Sequence, residues 1–292
     1  MAFAKILCAV DFSESSERAM AEAVRLAGEH DAELILFHTY YLPPFVLADT
    51  AGVSPALTQQ LADDARAGLA EAVSRARALG ARKLRSKLAD GLPWLKIVKA
   101  SKAEAVDLIV IGSHGRSGFA RIALGSVAEM VVRHAPCPVL TVRGTAAPHP
   151  FEHVLVPVDF SPRSRDAAEL ALRLVRPGGA GITLLHVVEA PITWGELRPL
   201  EAYRDLDARG AAQLEAWIKQ LTAGAPAPVR SQVRVGSAGA QILHALEADR
   251  SIDLVVMGSH GRTGLKRIVL GSVAEKTVRH APCPVVIVHH PA

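Results

Sequence analysis

The feature that most constrains this chain is a stretch that is written twice. Residues 111–142 read IGSHGRSGFARIALGSVAEMVVRHAPCPVLTV and residues 257–288 read MGSHGRTGLKRIVLGSVAEKTVRHAPCPVVIV, identical at 23 of 32 positions. A repeat of this quality implies one folding unit used twice. The 292 residues are enough for two domains that each bury a core. Each copy joins an apolar strand-like run (Leu108–Ile111; Leu254–Met257) to a glycine-rich loop, then to a helix beginning at Ser126 or Ser272, then to a second apolar run after Pro138 or Pro284. A glycine loop between a strand and a helix start is where backbone N–H groups converge on a phosphate. Two phosphate-binding sites are therefore expected.

The rest of each half is laid out around that stretch. Phe3 to Val10 and Phe151 to Val158 are apolar runs that each lead into an aspartate, Asp11 or Asp159, and read as first strands. Ser13 then offers an N-cap for a helix with Met20, Ala23, Val24 and Ala27 on one face, and Ser161 followed by Pro162 is a sharper helix start. Second strands follow at Glu33 to Thr39 and Gly181 to Val188, long helices at about 55–79 and 200–221, and third strands at Lys83 to Leu88 and Val229 to Val235. Tyr40 to Ser54 and Glu189 to Pro199 are irregular and carry apolar residues, either as a lid over the site or as a surface packed on the other half. Strands alternating with helices at this spacing predict parallel sheets covered on both faces, five strands to each half. The domains are placed at 1–143 and 151–292, with the Pro/Gly/Ala-rich GTAAPHP at 144–150 as linker.

Composition excludes several classes. No apolar run reaches the length of a membrane span, and MAFAKILCAVDF lacks the basic region and cleavage site of a signal peptide, so neither a membrane nor a secreted destination is expected and the cytoplasm is the default. A net charge of +4 from 33 basic and 29 acidic residues, without a basic run or interleaved aromatics, argues against nucleic acid. Cys8, Cys137 and Cys283 are too few for a disulfide framework and read as small buried hydrophobes. His38 and His186, near the ends of the second strands, read as buried or edge histidines with no partner at metal-site spacing.

Within the loop the spacing is Gly112, Gly115, Gly125, Ser126 in the first half and Gly258, Gly261, Gly271, Ser272 in the second. The first two glycines let the backbone turn and approach a ligand, and the third clears space before the helix. The serine stands where free N–H groups and the positive end of the helix dipole meet an anion. Yet Ser126-Val127-Ala128-Glu129 and Ser272-Val273-Ala274-Glu275 also fit a capping box, in which the serine serves only its own helix. Arg116 and Arg262 reach either phosphate or solvent, and His114 and His260 either brace the loop or touch the ligand. A P-loop G-x-x-x-x-G-K-[ST] and a dinucleotide G-x-G-x-x-G are both missing.

The pattern G-x2-G-x9-G-[ST] after a fourth strand, with Val-Asp-Phe-Ser after the first, occurs in both halves, and the whole chain resembles a tandem universal stress protein. The resemblance implies two Rossmann-like domains of the adenine nucleotide alpha hydrolase-like type with strand order 3-2-1-4-5. It also implies ATP as ligand, at up to two sites per chain and open to a bridging Mg²⁺ or Mn²⁺. On its motif, Asp11 and Asp159 contact the adenosine moiety, and Thr39 and Val187 offer backbone groups to adenine. Gly112, Gly115, Gly125 and Ser126, with Gly258, Gly261, Gly271 and Ser272, hold ribose and phosphates, and Val127 and Val273 add N–H donors. It further implies that the fifth strands pair the two domains within one chain as a pseudo-dimer, and it allows a homodimer of chains. The leading expectation is a nucleotide-dependent regulator or sensor, since no P-loop lysine or water-activating base is evident for catalysis. A slow ATPase or adenylate-handling enzyme, and a nucleotide-free interaction scaffold, are the alternatives.

Overall fold

The computed structural model describes residues 3–41, 55–113, 124–143, 147–189, 200–221, 227–261 and 270–289. The chain forms two compact units that divide between His149 and Pro150. The first contains β1 (Lys5–Ala9), α1 (Glu14–His30), β2 (Glu33–Tyr40), α2 (Pro55–Ala78), β3 (Leu84–Asp90), α3 (Pro93–Ala103), β4 (Leu108–Gly112), α4 (Ser126–His134) and β5 (Val139–Val142). The second repeats the plan with β6 (His153–Val158), α5 (Pro162–Leu174), β7 (Gly181–Val188), α6 (Leu200–Leu221), β8 (Val229–Val235), α7 (Ala238–Ala248), β9 (Leu254–Gly258), α8 (Ser272–His280) and β10 (Val285–Val288).

In the first unit β1 pairs in parallel with both β2 and β4, β2 with β3, and β4 with β5. The hydrogen-bonded order there is β3-β2-β1-β4-β5, and in the second unit it is β10-β9-β6-β7-β8. Every residue of β4 and β5 is buried, as expected for an apolar run with helices on both of its faces. β1 is shorter than the Phe3–Val10 run that announces it, and at its start Asp107 Oδ2 accepts from the amides of Ala4 (2.7 Å) and Lys5 (2.8 Å). Asp253 repeats this at β6, accepting from Glu152 and His153.

Helix α1 starts where the sequence places it: Ser13 is extended and its Oγ accepts from Ser16 N–H. Met20, Ala23, Val24 and Ala27 form its buried face. Ser161 caps α5 in the same way, with Pro162 in the first turn. Of the two irregular stretches, residues 42–54 and 190–199 lie outside the described residues. Among the described residues, no helix is long and apolar enough to cross a membrane.

Candidate functional site

The register Ala9↔Ile111 sets the ends of β1 and β4 side by side, with β2 on the far side of β1. The crossovers leave in opposite directions here, which opens a crevice at the carboxyl ends of the strands. In the first unit a cavity of about 640 Å³ occupies this position. It brings together Asp11, Thr39, Gly112, Gly125, Ser126 and Val127, residues spread over more than a hundred positions of sequence. Its apolar wall comes from Val10, Phe37, Leu61, Ile97 and Ile111, and Asp64 of α2 adds a carboxylate that sequence reasoning missed. Of the expected residues in this unit, His114, Gly115 and Arg116 lie outside the described residues.

Asp11 is held by its own turn: its Oδ1 accepts from the Ser13 amide (3.1 Å) and the Ser13 hydroxyl (2.6 Å). Asp159 makes the same pair of bonds with Ser161. Between each aspartate and serine stands a phenylalanine in left-handed backbone, Phe12 and Phe160, both with φ 64°. A bulky residue there costs on the order of 1–2 kcal/mol, so packing must hold it. Phe12 lies 4.3 Å from the His38 ring, and Phe160 lies 4.5 Å from His186 and 5.4 Å edge-on from Trp217. The histidines are themselves anchored, since Nδ1–H of His38 donates to Val10 O (2.7 Å) and Nδ1–H of His186 donates to Val158 O (2.9 Å). A Cβ on Gly68 of α2 would meet the Phe12 ring at 2.7 Å, so this helical glycine is the notch that admits it. The only hint in the sequence was that Phe follows Asp in both halves.

The capping-box reading of Ser126 and Ser272 is not what the helices show. The N-caps are Gly125 and Gly271, extended and with no side-chain cap bond, which puts each serine at the first helical position. A capping box needs its glutamate three residues past the cap. Glu129 and Glu275 fall four residues past it and instead pair with Arg133 and Arg279 at 2.9 Å. Among the described residues the amides of the first turns of α4 and α8 are therefore left without a side-chain acceptor, and the cavity is lined by Gly125, Ser126, Val127 and Ala128.

The loop's root is closed by the backbone. Gly125 N–H donates to Ser113 O (2.8 Å) while Ser113 N–H donates to Val142 O (3.0 Å). Gly271, Ser259 and Val288 repeat these bonds at 2.9 Å each. Ser113 and Ser259, both buried, thus anchor the loop and were missed because a small polar residue after a glycine carries no signal of its own. Gly112 has a packing reason as well as a ligand-facing one: a Cβ there would come within 2.9 Å of the Ser15 backbone in α1. In the second unit a Cβ on Gly261 would lie 2.7 Å from Asp159 Oδ2, so loop and first-strand aspartate meet. His260 Nδ1 lies 3.2 Å from Ser259 Oγ, and burial together with the nearby charge of Arg163 pushes its pKa below the ordinary imidazole value. Val187 is the penultimate residue of β7, Gly258 ends β9, and Ser272 and Val273 open α8 at corresponding places. Arg262 lies outside the described residues.

The cysteines sit away from this chemistry. All three are free and buried, and burial pushes the Cys137 and Cys283 thiols up to about 12 and the Cys8 thiol higher still. Thiolate chemistry at neutral pH is closed to them.

The chemistry offered by the first unit is a shaped apolar wall, a carboxylate that accepts from hydroxyl or amino donors, and a cluster of backbone N–H groups at a helix N-terminus for an anion. Known proteins resemble the chain in sequence and fold. The pattern of the Universal stress protein family matches residues 2–143 and again 150–289. A universal stress protein of Mycobacterium bovis is 31% identical over 303 residues, covering 97% of this chain and 96% of that protein. One of Methanocaldococcus jannaschii is 33% identical over 141 residues, 48% of this chain and 82% of its own length. The crystal structure of a universal stress protein from Archaeoglobus fulgidus superposes with a TM-score of 0.72 at 24% identity, covering 97% of each chain. With two family matches in tandem and full-length relatives, the chain belongs to the universal stress protein family.

Proposed function

We propose that the protein is an ATP-binding regulator of the stress response, acting in the cytoplasm, with up to two nucleotide sites per chain. The observation that carries this reading is the first-unit cavity, in which the uncapped start of α4 and the carboxylate of Asp11 border one space of about 640 Å³. That volume lies within the range of small-ligand sites, about 300–1,000 Å³.

A nucleotide fits the chemistry of this donor set. Asp11 would accept from ribose hydroxyls, and the backbone at Thr39 would meet adenine against Val10 and Phe37. Gly112, Gly115, Gly125, Ser126 and Val127 would hold the phosphates, with His114 and Arg116 beside them. In the second unit Asp159, Val187, Gly258, Gly261, Gly271, Ser272 and Val273 take the same roles, with His260 and Arg262 beside the phosphates. Mg²⁺ or Mn²⁺ would be carried on the phosphates. Asp11 and Asp64, the acidic groups on the first cavity among the described residues, would repel a polyphosphate, which favours phosphates at the α4 end and nucleoside at the β1 end.

Calorimetric titration of ATP into nucleotide-free protein, with mass analysis of any nucleotide released from protein as purified, tests the reading. Saturable binding at one or two ATP per chain is expected. No heat and no co-purified nucleotide would overturn it.

A further inference from the structure

The two units differ at one position of the helix that follows the first-strand aspartate, against the root of the loop. Ser15 of α1 is replaced in α5 by Arg163, and both stand against the first glycine of the loop: a Cβ on Gly112 would meet Ser15 Oγ at 2.6 Å, and one on Gly258 would meet Arg163 Cβ at 3.0 Å. The neighbouring charges change in the same sense. Over residues 14–18, Glu14 and Glu17 against Arg18 leave one negative charge; over 162–166, Arg163 and Arg165 against Asp166 leave one positive charge. Acidic residues in a helix's first turn complement its dipole, and α1 has them; α5 has none there and places a cation instead. Departures from a local rule are expected at functional or strained sites.

The two arginines of α5 are not equivalent. Arg165 is engaged, lying 5.5 Å over the Trp217 ring and donating to Gln220 Oε1 at 2.5 Å. Arg163 has no hydrogen bond or ion pair among the described residues, and its charge is felt at His260 inside the loop, whose protonated form it disfavours. His260 Nε2 is itself buried without a partner among the described residues. Among the described residues the second unit thus presents an uncommitted cation where the first presents a buried serine.

We propose that Arg163 is a specificity-determining residue that makes the second unit the site for the more highly charged ligand, a nucleoside triphosphate, while the first unit discriminates less by phosphate number. The inference rests on the nucleotide-binding reading above. A cation beside the loop adds attraction in proportion to ligand charge, and salt screens it where it is exposed to solvent.

ATP, AMP and adenosine are titrated by calorimetry into the full chain and into R163S, R163K and S15R, at low and high salt. Two unequal ATP steps are expected in the unaltered protein. In R163S the tighter step should weaken about tenfold for ATP, the effect shrinking from ATP to AMP to adenosine and with added salt. R163K should retain the preference, and S15R should create one in the first unit. An R163S variant that binds ATP and adenosine as the unaltered protein does, or that weakens both equally, overturns the proposal while leaving nucleotide binding intact. Absence of binding in the unaltered protein overturns the functional reading and this inference together.

Discussion

At the scale of single residues, two glycines of similar sequence setting have opposite roles. Gly28 lies in α1 with nothing within 4 Å of a Cβ built on it, whereas Gly68 lies in α2 with the Phe12 ring at 2.7 Å. Alanine normally gains about 0.5–1 kcal/mol over glycine inside a helix. Gly28→Ala should therefore raise stability by roughly that amount. Gly68→Ala should lower it by about 1 kcal/mol, because overpacking of about 1–3 kcal/mol outweighs the propensity gain. It should weaken nucleotide binding too, since Phe12 sits in left-handed backbone beside Asp11. Denaturant unfolding of both variants, with ATP titration of the second, checks the pair; an equal gain at both positions would mean that the Phe12 ring yields freely. Nothing in the residue string separates these glycines. The distinction arises only when α2 lies across the turn after β1.

At the scale of elements, the informative object is the start of α8. Glycine as N-cap gives the first-turn amides no acceptor from the cap itself, and aspartate there would supply one. Gly271→Asp should change stability by no more than a few tenths of a kcal/mol from capping. Its Cβ would lie 3.2 Å from Ser259 O, close enough to offset part of the gain. The same carboxylate would take the amides offered to phosphate and repel it, so ATP binding by the second unit should be lost. Thermal unfolding next to calorimetry separates the two effects: retained stability with lost binding is expected, and retained binding would show that the α8 start is not the phosphate site. The repeat was enough to read strand, glycine loop and helix in the right order. It was not enough to assign the cap, because Ser-x-x-Glu and Gly-Ser-x-x-Glu differ by one residue and only backbone geometry says which residue is extended.

At the scale of the molecule, two units share a plan and differ in detail. A ligand bound to the folded state alone stabilises it by about 2.7 kcal/mol at a hundred times its Kd, which for domains of this size corresponds to a shift in Tm of roughly 5–10 °C. ATP should raise the midpoint by that order in a thermal scan, and Gly271→Asp should remove the second unit's share of the increase. An unchanged midpoint at saturating ATP would contradict the proposed function.

Part of this protein was determined by the residue string itself. Apolar runs of strand length, the serine caps at Ser13 and Ser161, and a repeat identical at 23 of 32 positions required two α/β units of alternating strand and helix. These are local signals, carried by residues a few positions apart. The tertiary structure decided the rest: that Asp11, Thr39, Asp64 and Ser126 border one cavity, that Gly68 exists for Phe12 and Gly112 for Ser15, and that Arg163 faces the loop root with no partner among the described residues. Those facts depend on close approach between segments distant in sequence, and steric exclusion at contact distance leaves no periodicity to read.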